Sequence, residues 1–150
     1  MSDIHVRPAL PSEREALEAL QLRASLSNAS DLDALLANPD AVYLPLEQIT
    51  AGRVFVAESE QAIVGFAALL PRDDGAIELD GLFVEPVMQR RGIGRALVNH
   101  CGDFTRSQGA SALNVVGNPH AEAFYLRCGF ALVGVTQTRF GRASLLQKTM

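Results

Sequence analysis

Six consecutive residues, Gln89-Arg90-Arg91-Gly92-Ile93-Gly94, carry the sharpest chemical signal in the chain. They follow an apolar run, Ala76 to Val84, and precede Arg95-Ala96-Leu97-Val98-Asn99-His100-Cys101. Two glycines allow a ligand to come close to the backbone, because no Cβ stands in the way. A helix opening just beyond them has unpaired N–H groups at its start and about half a positive charge there. With Arg90, Arg91 and Arg95 alongside, the turn predicts a phosphate cradle.

Other phosphate-binding signatures are excluded by particular residues. A Walker loop needs a Gly-Lys pair, and the sole lysine is Lys148. The dinucleotide fingerprint needs a third glycine where this chain has Leu97, and an acid about twenty residues on, where it has the polar Gly109–Ala112 stretch. A tight strand-to-helix turn with no ligand remains the plain alternative.

The elements that must position this turn are legible in order. Ile4 to Ala9 alternates as a strand, and Ser12 with Glu15 predicts a capping box opening a helix through Ala16, Leu17, Leu20 and Ala24. A second helix is expected over Leu32 to Ala37, stopped by Pro39, and Asn38 to Gly52 reads as an irregular arm. Arg53 to Glu58 and Ala62 to Leu70 form a hairpin across Ser59-Glu60-Gln61, and Pro71 to Gly75 turns into the strand Ala76 to Val84. After Gly92 the apolar residues Ile93, Ala96, Leu97, Cys101 and Phe104 recur at helical spacing up to Gly109. Ser111 to Val116 is a strand, Asn118-Pro119 predicts an Asn-capped helix carrying Ala121, Phe124, Tyr125 and Cys128, and two strands follow, Phe130 to Gln137 and Ala143 to Lys148. The order is β-α-α-β-β-β-α-β-α-β-β, an α/β sheet of mixed direction in one domain, 1–150.

Composition narrows the partners. A net charge of −4 over 150 residues argues against a general nucleic-acid surface. Twelve of the 13 basic residues are arginines, suited to bidentate recognition of phosphate or carboxylate, although a genome rich in arginine codons gives the same bias. Two cysteines, Cys101 and Cys128, make neither a disulfide framework nor a zinc site, and His5 and His120 have no spacing that recruits a third ligand, so no metal is expected; His100 beside Cys101 reads as packing or surface. No apolar run approaches the ~18 residues of a membrane span, and the start lacks the regions of a signal peptide. A cytoplasmic protein with no membrane partner is expected.

Gln89-x-x-Gly92-x-Gly94 after a strand ending Leu82-Phe83-Val84, then Asn118, Ala121, Phe124-Tyr125 and Gly129-Phe130, resembles the GNAT superfamily of acyl-CoA-dependent N-acetyltransferases. The resemblance covers about Ala76 to Gly134, in correct order and spacing. It implies a splayed, mixed sheet of about seven strands flanked by about four helices. It also implies acetyl-CoA as donor, with the pantetheine arm on the backbone of Leu82, Phe83 and Val84, the pyrophosphate wrapped by Gln89, Arg90, Arg91, Gly92, Ile93, Gly94 and Arg95, and further contacts from Asn118 and Phe124. A peptide-like arm can take ladder hydrogen bonds where a sheet splays open.

The chemistry implied is attack of an amine on a thioester. A protonated amine must give up a proton, and the departing thiolate needs one. Tyr125 suits the second task, because its reference pKa of about 10, above the ~8.5 of a thiol, keeps it protonated as the sulfur leaves. Glu78 is the base candidate. On an alternating strand it shares a face with Asp80, Leu82 and Val84, and a second acid nearby would raise one carboxyl pKa. Both acids could equally bind a cationic substrate or face water, and Tyr125 could be an ordinary half-buried aromatic. Cys128 lacks a recognisable His–Asn/Asp pairing, which argues against an acyl-cysteine. A catalytically silent CoA-binding sensor and a different nucleotide binder are the competing readings. The acceptor, a small-molecule or peptide amine, is left to Ser25–Gly52, and a homodimer is compatible with the sequence.

Overall fold

The computed structural model describes residues 3–26, 43–118, 121–138 and 141–150. The expected helix Leu32–Ala37, with Pro39, lies outside these residues, as do Pro119 and His120. One seven-stranded sheet has the order β1-β2-β3-β4-β5-β7-β6. Its strands are β1 His5–Pro8, β2 Val54–Ser59, β3 Ala62–Pro71, β4 Ile77–Val84, β5 Ala112–Gly117, β6 Ala131–Thr138 and β7 Gly141–Thr149. Four helices are described: α1 Arg14–Leu26, α2 Leu46–Thr50, α3 Ile93–Ser107 and α4 Glu122–Arg127. The chain divides into two compact units, Met1–Ala68 with Gly81–Leu97, and Leu69–Asp80 with Val98–Met150.

In the first unit, β1, β2 and β3 pair antiparallel through β2. The β2–β3 hairpin turns on Glu60 and Gln61, both left-handed at φ 52° and 66°. That conformation matches the twist of the flanking strands, although neither residue is the glycine or asparagine usually found there. Leu17 and Leu20 of α1 stack on Val54, Val56, Phe66 and Ala68, with Ala9, Leu44 and Ile49 closing the cluster.

Two local readings are corrected here. The Ser12–Glu15 box is displaced: a 3-10 turn, Pro11–Glu13, precedes α1, and Glu13 Oε1 accepts the Leu10 N–H at 2.8 Å. Pro11 pre-sets the turn, and Glu13 stays within reach of Leu10 because Arg7 holds it with two hydrogen bonds, at 2.7 and 3.0 Å. The arm Asn38–Gly52 also contains a helix, α2. Its single turn is too short to show a period, and it forms because Ile49 and Gln48 bury against the unit.

In the second unit, β5 pairs antiparallel with β7, and β7 with β6. β4 runs parallel to β5 through Ile77↔Leu113, Glu78↔Asn114 and Leu79↔Val115. Leu113, Val115 and Leu146 are buried, as are Val98, Cys101 and Thr105 of α3. β6 is the edge strand and exposes Leu132, Val133 and Val135.

Candidate functional site

Five residues of β4 extend past its last pairing with β5 at Leu79. Leu82, Phe83 and Val84 lie in that extension, half-buried, so their backbone lies beyond the β4–β5 ladder. The Phe83 ring folds onto Phe66 with centroids 5.3 Å apart. A Cβ at Gly81 would come within 2.9 Å of that ring, so this glycine lets Phe83 lie back along its own strand. The side chain of Phe83 thus packs on the core.

Downstream, Glu85 closes β4 and its N–H bonds to Val64 O at 2.8 Å. Arg23 at the end of α1 grips the Glu85 carboxylate with two hydrogen bonds, 2.7 and 2.8 Å. That guanidinium holds the Glu85 carboxyl below the usual carboxylate range. A 3-10 turn, Pro86–Met88, then leads into the loop. Gln89, Arg90, Arg91 and Gly92 are all exposed, with Arg90 and Gly92 left-handed at φ 66° and 81°. A left-handed arginine is strained. Gly92 O accepts the Ala96 N–H at 3.0 Å, which makes Gly92 the residue that opens α3. The N–H groups of Ile93, Gly94 and Arg95 therefore fall in the first turn, where no intrahelical acceptor exists.

What seats this turn is Gly65 in β3, a residue the sequence reading passed over. A Cβ there would lie 3.0 Å from Phe83 O, 3.1 Å from Ile93 Cγ2 and 3.2 Å from Leu97 Cδ1. Its absence lets the buried Ile93 and Leu97 settle against the strand, and the exposed loop is fixed by that anchor. Among the described residues Arg90, Arg91 and Arg95 take part in no ion pair, in contrast to Arg7, Arg23 and Arg72. An extended strand end past its ladder, a turn of free amides and three uncommitted cations fit a group made of a peptide-like arm and a pyrophosphate.

Tyr125 lies in the second unit, on α4, and is 7% exposed. Phe124 and Phe130 meet its ring edge-on at 5.2 and 5.5 Å. Burial pushes its hydroxyl well above the ordinary tyrosine range, with the thiols Cys128 and Cys101 adding to the shift. Burial likewise pushes the Cys101 thiol up to about 12. Cys128 closes α4, and Lys148 Nζ donates to its carbonyl at 3.1 Å. A cation there meets the negative end of the helix. The single lysine is thus a structural cap for the helix that carries Tyr125.

α4 starts at Glu122 with Ala121 before it and no side-chain cap, and Asn118 contributes its carbonyl, which accepts the Ala121 N–H at 2.9 Å. Phe124 is half-buried beside Tyr125.

Glu78 is half-buried on β4 between the buried Ile77 and Leu79, as the alternation predicts, and Asp80 is exposed. Its contact is a cation: Arg72 NH1 donates to Glu78 Oε1 at 3.2 Å while Arg72 Nε bonds Asp74. Arg72 reaches back across the Pro71–Gly75 turn to make this contact, which strand alternation does not reveal. No group of three His, Cys, Asp or Glu side chains could hold a metal ion among the described residues. No described helix is long and apolar enough to cross a membrane.

The model of the acetyltransferase (GNAT) family matches residues 20–130. The chain belongs to the GNAT acetyltransferase family. The streptothricin acetyltransferase of Streptomyces lavendulae is 36% identical over 170 residues, which cover 95% of this chain and 90% of that protein. N-acetyltransferase 8 of Homo sapiens is 36% identical over 88 residues, 53% of this chain, and the match spans only 39% of the human protein. The PaiA N-acetyltransferase of Thermoplasma acidophilum, solved in complex with coenzyme A, shares the fold, with a TM-score of 0.79, 15% identity and 99% of each chain covered. As a GNAT acetyltransferase the chain has, among the described residues, the mixed seven-stranded sheet and four helices expected of it, and its chemistry is acetyl transfer.

Proposed function

We propose that this protein is an acetyl-CoA-dependent N-acetyltransferase, a single catalytic domain over 1–150 that acetylates a primary amine by direct attack in a ternary complex. The observation that carries the reading is the opening of α3. Three arginines without ion pairs among the described residues surround a helix N-terminus whose first amides are free by geometry. Bound acetyl-CoA supplies an acyl carbon already activated as a thioester. The backbone of Leu82 and Val84 holds its arm, and the amides from Arg90 to Arg95 hold its pyrophosphate, with Gln89, Asn118 and Phe124 as further contacts. Tyr125 returns a proton to the departing sulfur; burial favours its neutral, proton-bearing form, and the charge developing on the sulfur is what draws the proton off. Glu78 takes the proton of the attacking amine, directly or through water, while Arg72 fixes one of its carboxylate oxygens.

The acceptor is a small-molecule or peptide amine, chosen by the Ser25–Gly52 region, of which 27–42 lie outside the described residues. The streptothricin acetyltransferase relative supports including streptothricin among the amines tried. Exposed Leu132, Val133 and Val135 on an edge strand support a homodimer, which sedimentation at several concentrations would detect. The protein is read as cytoplasmic and free of nucleic-acid and membrane partners. Thiol release from acetyl-CoA across an amine panel tests the function. Turnover on at least one amine is expected. Tight acetyl-CoA binding with no turnover on any amine would favour a CoA sensor, and binding of ATP or NAD without CoA would favour a different nucleotide binder.

A further inference from the structure

Gly117, the last residue of β5, has no conformational reason to be glycine. Its φ is outside the left-handed region occupied by Gly52, Gly75, Gly92, Gly109, Gly129 and Gly141. It pairs with Ser144 of β7 in a regular ladder. Glycine in such a strand is unfavourable against alanine, so something else must require the missing side chain. The requirement is space for one ring. A Cβ at Gly117 would lie 3.2 Å from Tyr125 Cε2 and 3.3 Å from Tyr125 Cδ2, with Leu146 Cδ1 at 3.5 Å. Ordinary carbon contacts fall at about 3.5–4.0 Å.

The ring has little freedom to step aside. Phe124 and Phe130 contact it edge-on, Leu146 is only 1% exposed, and Tyr125 itself is buried. We propose that Gly117 is a positioning residue that sets the Tyr125 hydroxyl for proton donation. The inference rests on the reading of Tyr125 as the acid. A methyl group at 117 displaces the ring edge by a few tenths of an ångström, and pivoting about the Tyr125 Cβ enlarges that movement at the hydroxyl. A misplacement of about 1 Å can reduce a rate about 10²-fold, and proton transfer tolerates only ~2.6–3.2 Å between heavy atoms. A loss of about 10-fold is expected.

The test is a double-mutant cycle of Gly117→Ala and Tyr125→Phe. Turnover is counted per site that binds acetyl-CoA in calorimetry, so a partly folded preparation still informs. Gly117→Ala should lower kcat about 10-fold and leave KM for acetyl-CoA within about 2-fold. Added to Tyr125→Phe, it should lower kcat less than about 2-fold further, because the group it misplaces is gone. Near-UV circular dichroism supplies a readout independent of activity. The chain has no tryptophan and two tyrosines, so Gly117→Ala should alter the tyrosine signal in the parent and not in Tyr125→Phe. Wild-type kcat in Gly117→Ala, or an equal loss in both backgrounds, overturns the positioning role. Full turnover in Tyr125→Phe overturns the acid assignment beneath it, a distinct result.

Discussion

The loop Gln89–Arg95 and the neighbourhood of Tyr125 differ in almost every physical respect. The loop is exposed, offers main-chain amides and arginines without ion pairs among the described residues, and is strained at Arg90. Tyr125 is buried and is shaped by Phe124, Phe130 and Gly117. Under the proposed function the first region binds a large anionic group and the second, through one side-chain atom, handles a single proton. Binding by many weak, solvent-facing donors tolerates the loss of any one of them. Proton donation from one enclosed hydroxyl does not. The two should therefore fail differently: the Tyr125 region in kcat, sharply, and the loop in cofactor affinity, by degrees.

Tyr125→Phe makes the sharpest break. It removes one oxygen and keeps the ring packing, so kcat should fall by about 10²-fold or more with little change in acetyl-CoA affinity. Steady-state kinetics beside calorimetry checks both halves. Next in size is Gly92→Asp, read by the same calorimetry. A Cβ there meets nothing of the protein within 4 Å, so the harm comes from the left-handed backbone and from a negative charge at the helix start. Acetyl-CoA affinity should fall at least about 10-fold, with kcat at saturation largely kept. Loss of kcat at saturation with affinity intact would abolish the contrast.

Legibility in the sequence follows the same divide. The turn before α3 could be read because its shape demands residue types at fixed spacing: glycine where φ is positive at 92, and Ile93 and Leu97 on the buried face. The strands were readable within a residue or two, since period-two alternation is a local property. What stayed hidden depends on long-range placement. Gly65 and Gly117 look like strand glycines until β3 meets Ile93 and Leu97 and β5 meets Tyr125. Arg23 gives no hint that it will hold Glu85, 62 residues away. α2 is a single turn made by burial, too short to leave a period in the sequence. Tyr125 itself was found through family resemblance, because one aromatic at helical spacing is indistinguishable from core.

The arginines sharpen the loop's side of the comparison. Arg91→Ala should weaken acetyl-CoA binding only about 2- to 5-fold, the size of one exposed charge at a helix start. The deficit should shrink as salt is raised from low to physiological ionic strength, since the Debye length falls to about 8 Å. Tyr125→Phe should show no such salt dependence in kcat. A salt-independent loss for Arg91→Ala would mean the guanidinium packs or bonds locally and does not act as a loose cation.

The smallest expected effect concerns stability, and there too the regions differ in sign. Glu85, beside the loop, is held below its usual range by Arg23, and Glu13 by Arg7. These carboxylates stabilise the fold above their unfolded pKa near 4.5, and that stability is lost as pH falls below it. Around Tyr125 the shifts run the other way. Cys101 rises from 9.0 to about 12 and Tyr125 rises further still, both through burial. A raised pKa means that the folded state keeps a proton the unfolded state gives up. The stabilisation is then complete below about pH 9 and is lost progressively as pH climbs through and beyond 10. Each such group contributes a slope of about 1.4 kcal/mol per pH unit, equivalent to roughly 3–6 °C of Tm per unit in a chain of this size. Thermal melts from pH 8 upward should show the decline, and Cys101→Ala should flatten its first part, between about 9 and 10, while leaving the acid limb unchanged. An alkaline limb unaltered by Cys101→Ala would show that the thiol ionises without hindrance, and that the interior around Tyr125 is wetter than its burial implies.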